Sequence, residues 1–215
     1  MPEGMKVPTP TLERLATYLS VLTGLVNSGI ETISSTEIEE RTGINAAQFR
    51  KDLSYFGEFG RPGIGYNVSE LRTRIGKILK LDKVQPVLLV GAGNLGSALV
   101  GYQGLRAENF RIVAVFDNNY VKVGKPLWDL TVKNVSTLLE ENRRHKARVG
   151  IITVPAAAAQ EVADKLVQAN ILTILNFAPT VLRLPAHVTV RNVDFVQELA
   201  VLSYHLPKEG TSESR

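Results

Sequence analysis

Val87-Leu88-Leu89-Val90-Gly91-Ala92-Gly93-Asn94-Leu95-Gly96 is the stretch that decides the fold of this chain. Four consecutive apolar residues predict a short strand buried on both faces, as the strands of a parallel sheet are. The glycines follow at once in the spacing Gly-x-Gly-x-x-Gly and open a helix predicted over Asn94 to Gly104. In that strand, turn and helix setting each glycine has a reason. Gly91 permits the tight turn, Gly93 lets the backbone approach a pyrophosphate, and Gly96 lets helix and strand pack closely. With Ala92, Asn94 and Leu95 between them they form a candidate phosphate cradle at a helix N-terminus, whose unpaired N–H groups favour an anion. A second strand, Arg111 to Phe116, ends at Asp117, 21 residues beyond Gly96. There a carboxylate can accept from a ribose hydroxyl and repel a 2′-phosphate, so NAD(H) is expected rather than NADP(H).

Toward the C-terminus, strand and helix keep alternating. Helices are predicted over Ser136 to His145 and Ala157 to Ala169, and strands over Val149 to Val154, Leu172 to Leu175 and Val188 to Val190. Apolar strands separated by helices imply a parallel sheet covered on both sides. Thr153-Val154-Pro155 and Asn176-Phe177-Ala178-Pro179 end two of the strands at the carboxyl edge, where ligands bind in open α/β folds. Taken alone, either could be an ordinary strand end. A last helix, Val193 to Leu206, carries Phe195, Val196, Leu199, Val201, Leu202 and Tyr204 with scarcely a polar face, so it should be buried on more than one side. Residues 207–215 are expected to form a disordered tail.

Toward the N-terminus the period is helical throughout. Leu12, Leu15, Ala16, Leu19, Leu22 and Val26 outline a first helix. Ser34 and Glu37 form a capping box that opens a second, and Asn45 caps a third that runs to Phe56. The connection Thr42-Gly43-Ile44-Asn45 suits a helix-turn-helix. On the third helix Phe49, Leu53 and Phe56 face a core. Ala47, Arg50, Lys51 and Ser54 fall opposite, with Gln48 and Tyr55 at the margins. That is a recognition helix's inventory: cations for guanine or phosphate, glutamine for adenine, and a small apolar side chain for a thymine methyl. The glycine-rich stretch from Gly57 to Tyr66, containing Arg61, Gly63 and Tyr66, could enter a neighbouring groove as a wing. Between Asn45 and Lys80 seven cations face three anions, which accounts for the chain's whole surplus of +4. The expected organisation is a DNA-binding domain at 1–80, a linker at 81–86, a nucleotide-binding domain at 87–206 and the tail.

Composition narrows the function further. The 215 residues are 44% hydrophobic and 21% charged, as in ordinary folded domains, and suffice for one or two of them. Absence of cysteine removes disulfides, thiolate metal sites and thiol nucleophiles, so redox behaviour must run through a bound molecule. With no long apolar run and no signal-peptide pattern, a cytoplasmic protein without membrane contact is expected. His145, His187 and His205 are the only histidines, and none sits at informative spacing from a carboxylate or serine. No metal-ligand cluster appears either. The chain reads as one that holds a nicotinamide nucleotide without turning it over. Two other readings stay open: an oxidoreductase with a helical appendage, and a CoA-binding or assembly domain.

Several motifs taken together resemble the Rex family of bacterial redox-sensing repressors. They are Gln48-Phe49-Arg50-Lys51-Asp52-Leu53-Ser54-Tyr55-Phe56-Gly57, Gly63-Ile64-Gly65-Tyr66-Asn67-Val68, the glycine loop, Thr153-Val154-Pro155, Asn176-Phe177-Ala178-Pro179 and Asn192-Val193-Asp194-Phe195. The resemblance implies an α/β fold with an N-terminal winged-helix domain and a Rossmann-type doubly wound parallel sheet. It also implies a homodimer with swapped terminal helices that binds palindromic operator DNA and releases it when NADH binds. It places Phe195 near the partner's nicotinamide and makes Tyr102 and Asp194 part of the switch. Ser20 departs from members that carry an arginine there to pair with the acidic residue at the Asp194 position.

Overall fold

In the N-terminal unit the longest element is α1 (Thr9–Asn27), which starts on Pro8 and Pro10 because the first helical turn needs no proline N–H. Its buried stripe is Leu15, Tyr18, Leu19, Leu22 and Leu25. Leu12, Ala16 and Val26, expected in that stripe, are exposed. The stripe is rotated because Thr11 and Tyr18 turn inward to bond a buried carboxylate on the third helix. The fold is a computed structural model describing residues 7–60 and 64–206, and it divides into two compact units, Met1–Lys83 and Val84–Arg215. Arg61, Gly63 and the expected tail from residue 207 lie outside the described residues.

A short strand β1 (Thr32–Ile33) leads to α2 (Ser35–Thr42), which opens on the reciprocal Ser34–Glu37 capping box and closes on Gly43 at φ 70°, a left-handed cap suited to glycine. Then come α3 (Ala46–Ser54), β2 (Tyr66–Asn67) and α4 (Val68–Ile78), the last capped by Asn67. The strands pair antiparallel, Thr32 with Asn67 and Ile33 with Tyr66, and form the base of the wing. Phe49 makes edge contacts with Tyr18 and Tyr66 at the centre of this unit's core, 4.8 and 5.2 Å between ring centres.

The second unit begins with β3 (Gln85–Val90), two residues earlier than expected and inside the stretch read as linker, because the Gln85 N–H bonds the Asn109 carbonyl. It continues through α5 (Asn94–Gly101), α6 (Gln103–Ala107), β4 (Phe110–Asp117), the hairpin β5 (Pro126–Leu127) and β6 (Leu130–Asn134), and α7 (Leu138–His145). The remaining elements are β7 (Val149–Ile152), α8 (Ala156–Gln168), β8 (Thr173–Asn176), β9 (Thr189–Asn192) and α9 (Phe195–Ser203). The strands lie in the order β5-β6-β4-β3-β7-β8-β9, all parallel except β5. Numbering only the parallel strands gives 3-2-1-4-5-6, the order of a dinucleotide-binding doubly wound sheet, with its crevice where β3 and β7 part.

Two further features differ from the expected elements. The single helix over Asn94 to Gly104 is broken at Tyr102, which is extended at φ −75°, ψ 107°. Its phenol folds over Gly104, where a Cβ would lie 2.5 Å from the ring. The β5–β6 hairpin was not expected, since its two-residue turn Trp128-Asp129 lacks the Asn-Gly or Asp-Gly signature. Trp128 takes a positive φ of 54°, lays its indole across Gly101 and donates from Nε1 to the Ser97 carbonyl at 3.0 Å.

Candidate functional site

At the carboxyl edge of the sheet the glycine loop is held from three sides. Gly91 adopts φ 115° and donates its N–H to the Phe116 carbonyl, and a Cβ there would lie 2.6 Å from the Thr153 carbonyl oxygen. Gly96 is tighter still, with the Gly91 carbonyl 1.9 Å from where a Cβ would stand. Thr153 reaches across from the end of β7, its hydroxyl 2.8 Å from the Gly91 carbonyl and its N–H on that of Val90. Gly93 differs: nothing lies within 4 Å of its missing side chain. The turn is therefore packed behind and open in front.

The helix that follows is oriented for an anion. α5 has Gly93 at its N-cap and no capping side chain, as α1, α6, α7 and α8 also lack one, whereas Ser34, Asn45, Asn67 and Asp194 cap α2, α3, α4 and α9. Its first N–H groups and positive dipole end stay available to a diphosphate. Asn94 and Leu95 are exposed on that first turn, and Ala92 is half-buried.

Asp117 ends β4 beside the loop. Its Oδ2 accepts from the Ala92 N–H at 2.9 Å and from Lys122 Nζ at 3.1 Å, and its Oδ1 from the Asn119 N–H at 2.8 Å. Burial pushes this carboxyl up, but those donors outweigh it and hold the group below its ordinary value. Three of its roughly four acceptor positions are occupied, which leaves one for a ribose hydroxyl. The bracing role of Asp117 and the presence of Lys122 were not legible from spacing.

The other half of the crevice is built on Asn176. This fully buried amide bonds the carbonyls of Ala178 and Thr180 and the N–H of Ala178, and so shapes the turn after β8. Ala178 is buried, while Pro155 and Pro179 are exposed and Val154 half-buried along the edge. Phe195 stands at the start of α9 with its ring 6.1 Å from that of Phe177 in the same chain. Asp194 caps α9, its Oδ1 accepting from the N–H groups of Val196 and Gln197. Tyr102 is 61% exposed at the break after α5. Every large apolar residue of α9 is exposed in the single chain, since no element of its own sheet covers it.

The candidate nucleic-acid face lies in the other unit. Gly43, Ile44 and Asn45 form a three-residue turn between α2 and α3, fastened by Glu39, which accepts from the Ala46 N–H, and by Asn45, which accepts from that of Ala47. Ala47, Arg50, Lys51 and Ser54 are exposed together along α3, and Gln48 and Tyr55 are half-buried at its edges. Arg50 Nη1 donates to Ser35 Oγ at 2.7 Å, which lays its side chain toward α2. Tyr66 is half-buried against Phe49 and does not project freely. The wing base is pinned by Arg74, whose guanidinium sits 3.8 Å above the Phe59 ring and donates to the Glu58 carbonyl.

Sequence reasoning missed one cluster here. Asp52 is fully buried on α3 and receives the guanidinium of Arg14 at 2.6 Å. The available signal was its helical position, between the core residues Phe49 and Leu53, where an acidic residue requires a buried donor. Among the described residues no group of side chains is suited to a metal ion, and no helix is long and apolar enough to cross a membrane.

Comparison with known proteins covers both units. Residues 6–54 match a family model described as the N-terminus of a putative DNA-binding protein, and residues 82–180 one described as a CoA binding domain. A redox-sensing transcriptional repressor Rex of Pelotomaculum thermopropionicum is 50% identical over 95% of this chain and 96% of its own. One of Carboxydothermus hydrogenoformans is 47% identical over 96% and 100%. Among solved structures, RSP in complex with β-NAD+ and operator DNA superimposes with a TM-score of 0.88 at 38% identity, covering 94% of this chain and 93% of that one. RSP in complex with β-NADH does so at 0.84 and 36%, covering 94% and 95%.

Proposed function

The chain belongs to the Rex family of redox-sensing transcriptional repressors, and from that membership we propose how its own residues divide the task. It is a DNA-binding regulator with NAD(H) as a regulatory ligand and a homodimer as its working form, and its close relatives are repressors rather than enzymes. The unit carrying α3 grips operator DNA through Ala47, Gln48, Arg50, Lys51, Ser54 and Tyr55. Arg61, Gly63 and Tyr66 extend that grip from the wing. Gly91 to Gly96 receive the pyrophosphate, and Asp117 the adenosine ribose. We assign the DNA-binding domain to the residues up to Lys83 and the nucleotide-binding domain to those from Val84, because β3 already begins at Gln85 and leaves little of the expected 81–86 linker. Such a protein, reading chromosomal operators and the nucleotide pool, works in the cytoplasm.

Both oxidation states share the pyrophosphate and adenosine contacts, so discrimination must lie at the nicotinamide end. Thr153, Val154, Pro155, Ala178 and Pro179, closed over by Phe195 of the partner subunit, make an apolar enclosure. It favours the neutral reduced ring, because burying the charged oxidised ring without a counter-charge is costly. Tyr102 and Asp194 lie where this enclosure opens or closes. With Ser20 in place of an arginine, the operator-bound state of this chain is held by other contacts. NADH thus selects a dimer whose recognition helices no longer match half-sites about 34 to 36 Å apart. A 10- to 100-fold drop in operator affinity needs only about 1.4 to 2.7 kcal/mol of coupling.

The observation that carries this reading is the open space above Gly93 at an uncapped helix N-terminus, in a chain whose other unit presents a basic helix-turn-helix. The test is a titration of operator binding with NADH and NAD+, together with NADH affinity measured with and without operator. Because coupling is reciprocal, the operator should weaken NADH binding by the factor through which NADH weakens operator binding. Equal NADH affinity in both conditions would refute the mechanism.

A further inference from the structure

Five hydrogen bonds converge on Asp52. Thr11 Oγ1 donates at 3.2 Å, Arg14 Nε at 2.6 Å and Nη2 at 2.7 Å, Tyr18 OH at 3.0 Å, and Gln48 Nε2 at 2.8 Å. Four come from α1, and the fifth from α3 itself, one turn away. A buried ion pair is a weak source of stability, because apolar replacements often serve as well. What it supplies is geometry. The planar guanidinium fork spans both carboxylate oxygens and so fixes the plane of the carboxylate.

That plane decides the state of Gln48. The last torsion of a glutamine is broad and roughly two-fold, so a free amide presents its oxygen and nitrogen either way round. An ionised carboxylate can only accept, so Asp52 turns the NH2 group toward itself and settles which end is which. One N–H is used; no hydrogen bond within the described residues takes up Oε1 or the second N–H. These are the two groups that meet N6–H and N7 of adenine in the major groove.

We propose that Asp52, locked by Arg14, is a positioning residue that orients the Gln48 amide to read one adenine in each operator half-site. The proposal rests on α3 being the recognition helix. Arg50 and Lys51 then supply affinity, and Gln48 supplies sequence preference that is inherited from a core carboxylate.

The test uses the full-length dimer and a set of operator duplexes in which each A·T pair of the half-site is replaced by G·C in turn. In the wild type one replacement should weaken binding about tenfold or more. Gln48→Ala should abolish that preference, and Asp52→Asn should cut it to less than about threefold while leaving NADH affinity and the salt dependence of binding unchanged. In a Gln48→Ala background Asp52→Asn should alter base preference no further, a result that a merely structural role does not give. If Asp52→Asn fails to fold, Arg14→Lys, which keeps the charge and loses the fork, should reduce the preference part-way. Retention of every wild-type base preference by Gln48→Ala, or by the folded Asp52 or Arg14 variant, overturns the proposal. If Arg50→Ala and Lys51→Ala also leave operator affinity intact, the recognition-helix reading falls with it. If those two weaken binding while Gln48→Ala changes no preference, the proposal falls alone.

Discussion

Gly96 is the residue with least room for change. A methyl group there would stand 1.9 Å from the Gly91 carbonyl, a backbone atom that cannot swing aside. Gly96→Ala should therefore push the loop outward and lower NADH affinity at least about tenfold, equivalent to about 1.4 kcal/mol, while operator binding persists and stops responding to NADH. Fluorescence titration of NADH and a gel shift on the same variant check both halves. Asp52 gives a prediction in pH. Burial pushes its carboxyl up, but Arg14, Gln48 and Tyr18 outweigh it and hold it below the ordinary range. Its contribution to stability is therefore complete above the unfolded group's value, near pH 4, and drains away as pH falls from there toward the folded value. Acid unfolding of the wild type should show that loss, and Asp52→Asn should lack it. The glycines were legible because their spacing maps onto backbone requirements of one short turn. Asp52 was not, because its partner Arg14 lies 38 positions away and no local pattern links them.

Among the elements, α3 and α5 differ in how they begin, and the difference separates their tasks. An Asn45 cap steadies α3, whereas no side chain caps the first N–H groups of α5. Arg50→Ala and Lys51→Ala should each lower operator affinity, and a phosphate-contacting side chain should take about one unit from the salt slope when it is removed, with NADH binding unchanged. Binding measured at several salt concentrations decides this. The helical and parallel-strand elements could be read from periodicity, since core-facing positions repeat. The hairpin β5–β6 could not, because its turn puts Trp128 at positive φ without glycine. The break at Tyr102 did have a local signal, since Gly101 and Gly104 flank it and glycine weakens a helix interior.

For the whole molecule the decisive fact is a terminal helix with no burial of its own. Phe195, Val196, Leu199, Val201 and Leu202 are all more than half exposed, a surface that a single chain rarely leaves to water. On the proposed reading a second subunit covers it in the homodimer. Leu199→Glu should put a charge into that interface, shift the protein toward monomer in sedimentation, and lower affinity for a palindrome far more than for a single half-site. Apolarity around the helix made the need for a cover readable in the sequence; what provides the cover depends on a second molecule.

Trp128 is the chain's one tryptophan, and it lies across Gly101 at the far end of the helix that begins in the glycine loop. Indole emits in the near ultraviolet where dihydronicotinamide absorbs and oxidised nicotinamide does not. Each subunit therefore carries its own optical gauge, one that dims when the reduced coenzyme docks and stays bright with the oxidised form, with no label attached.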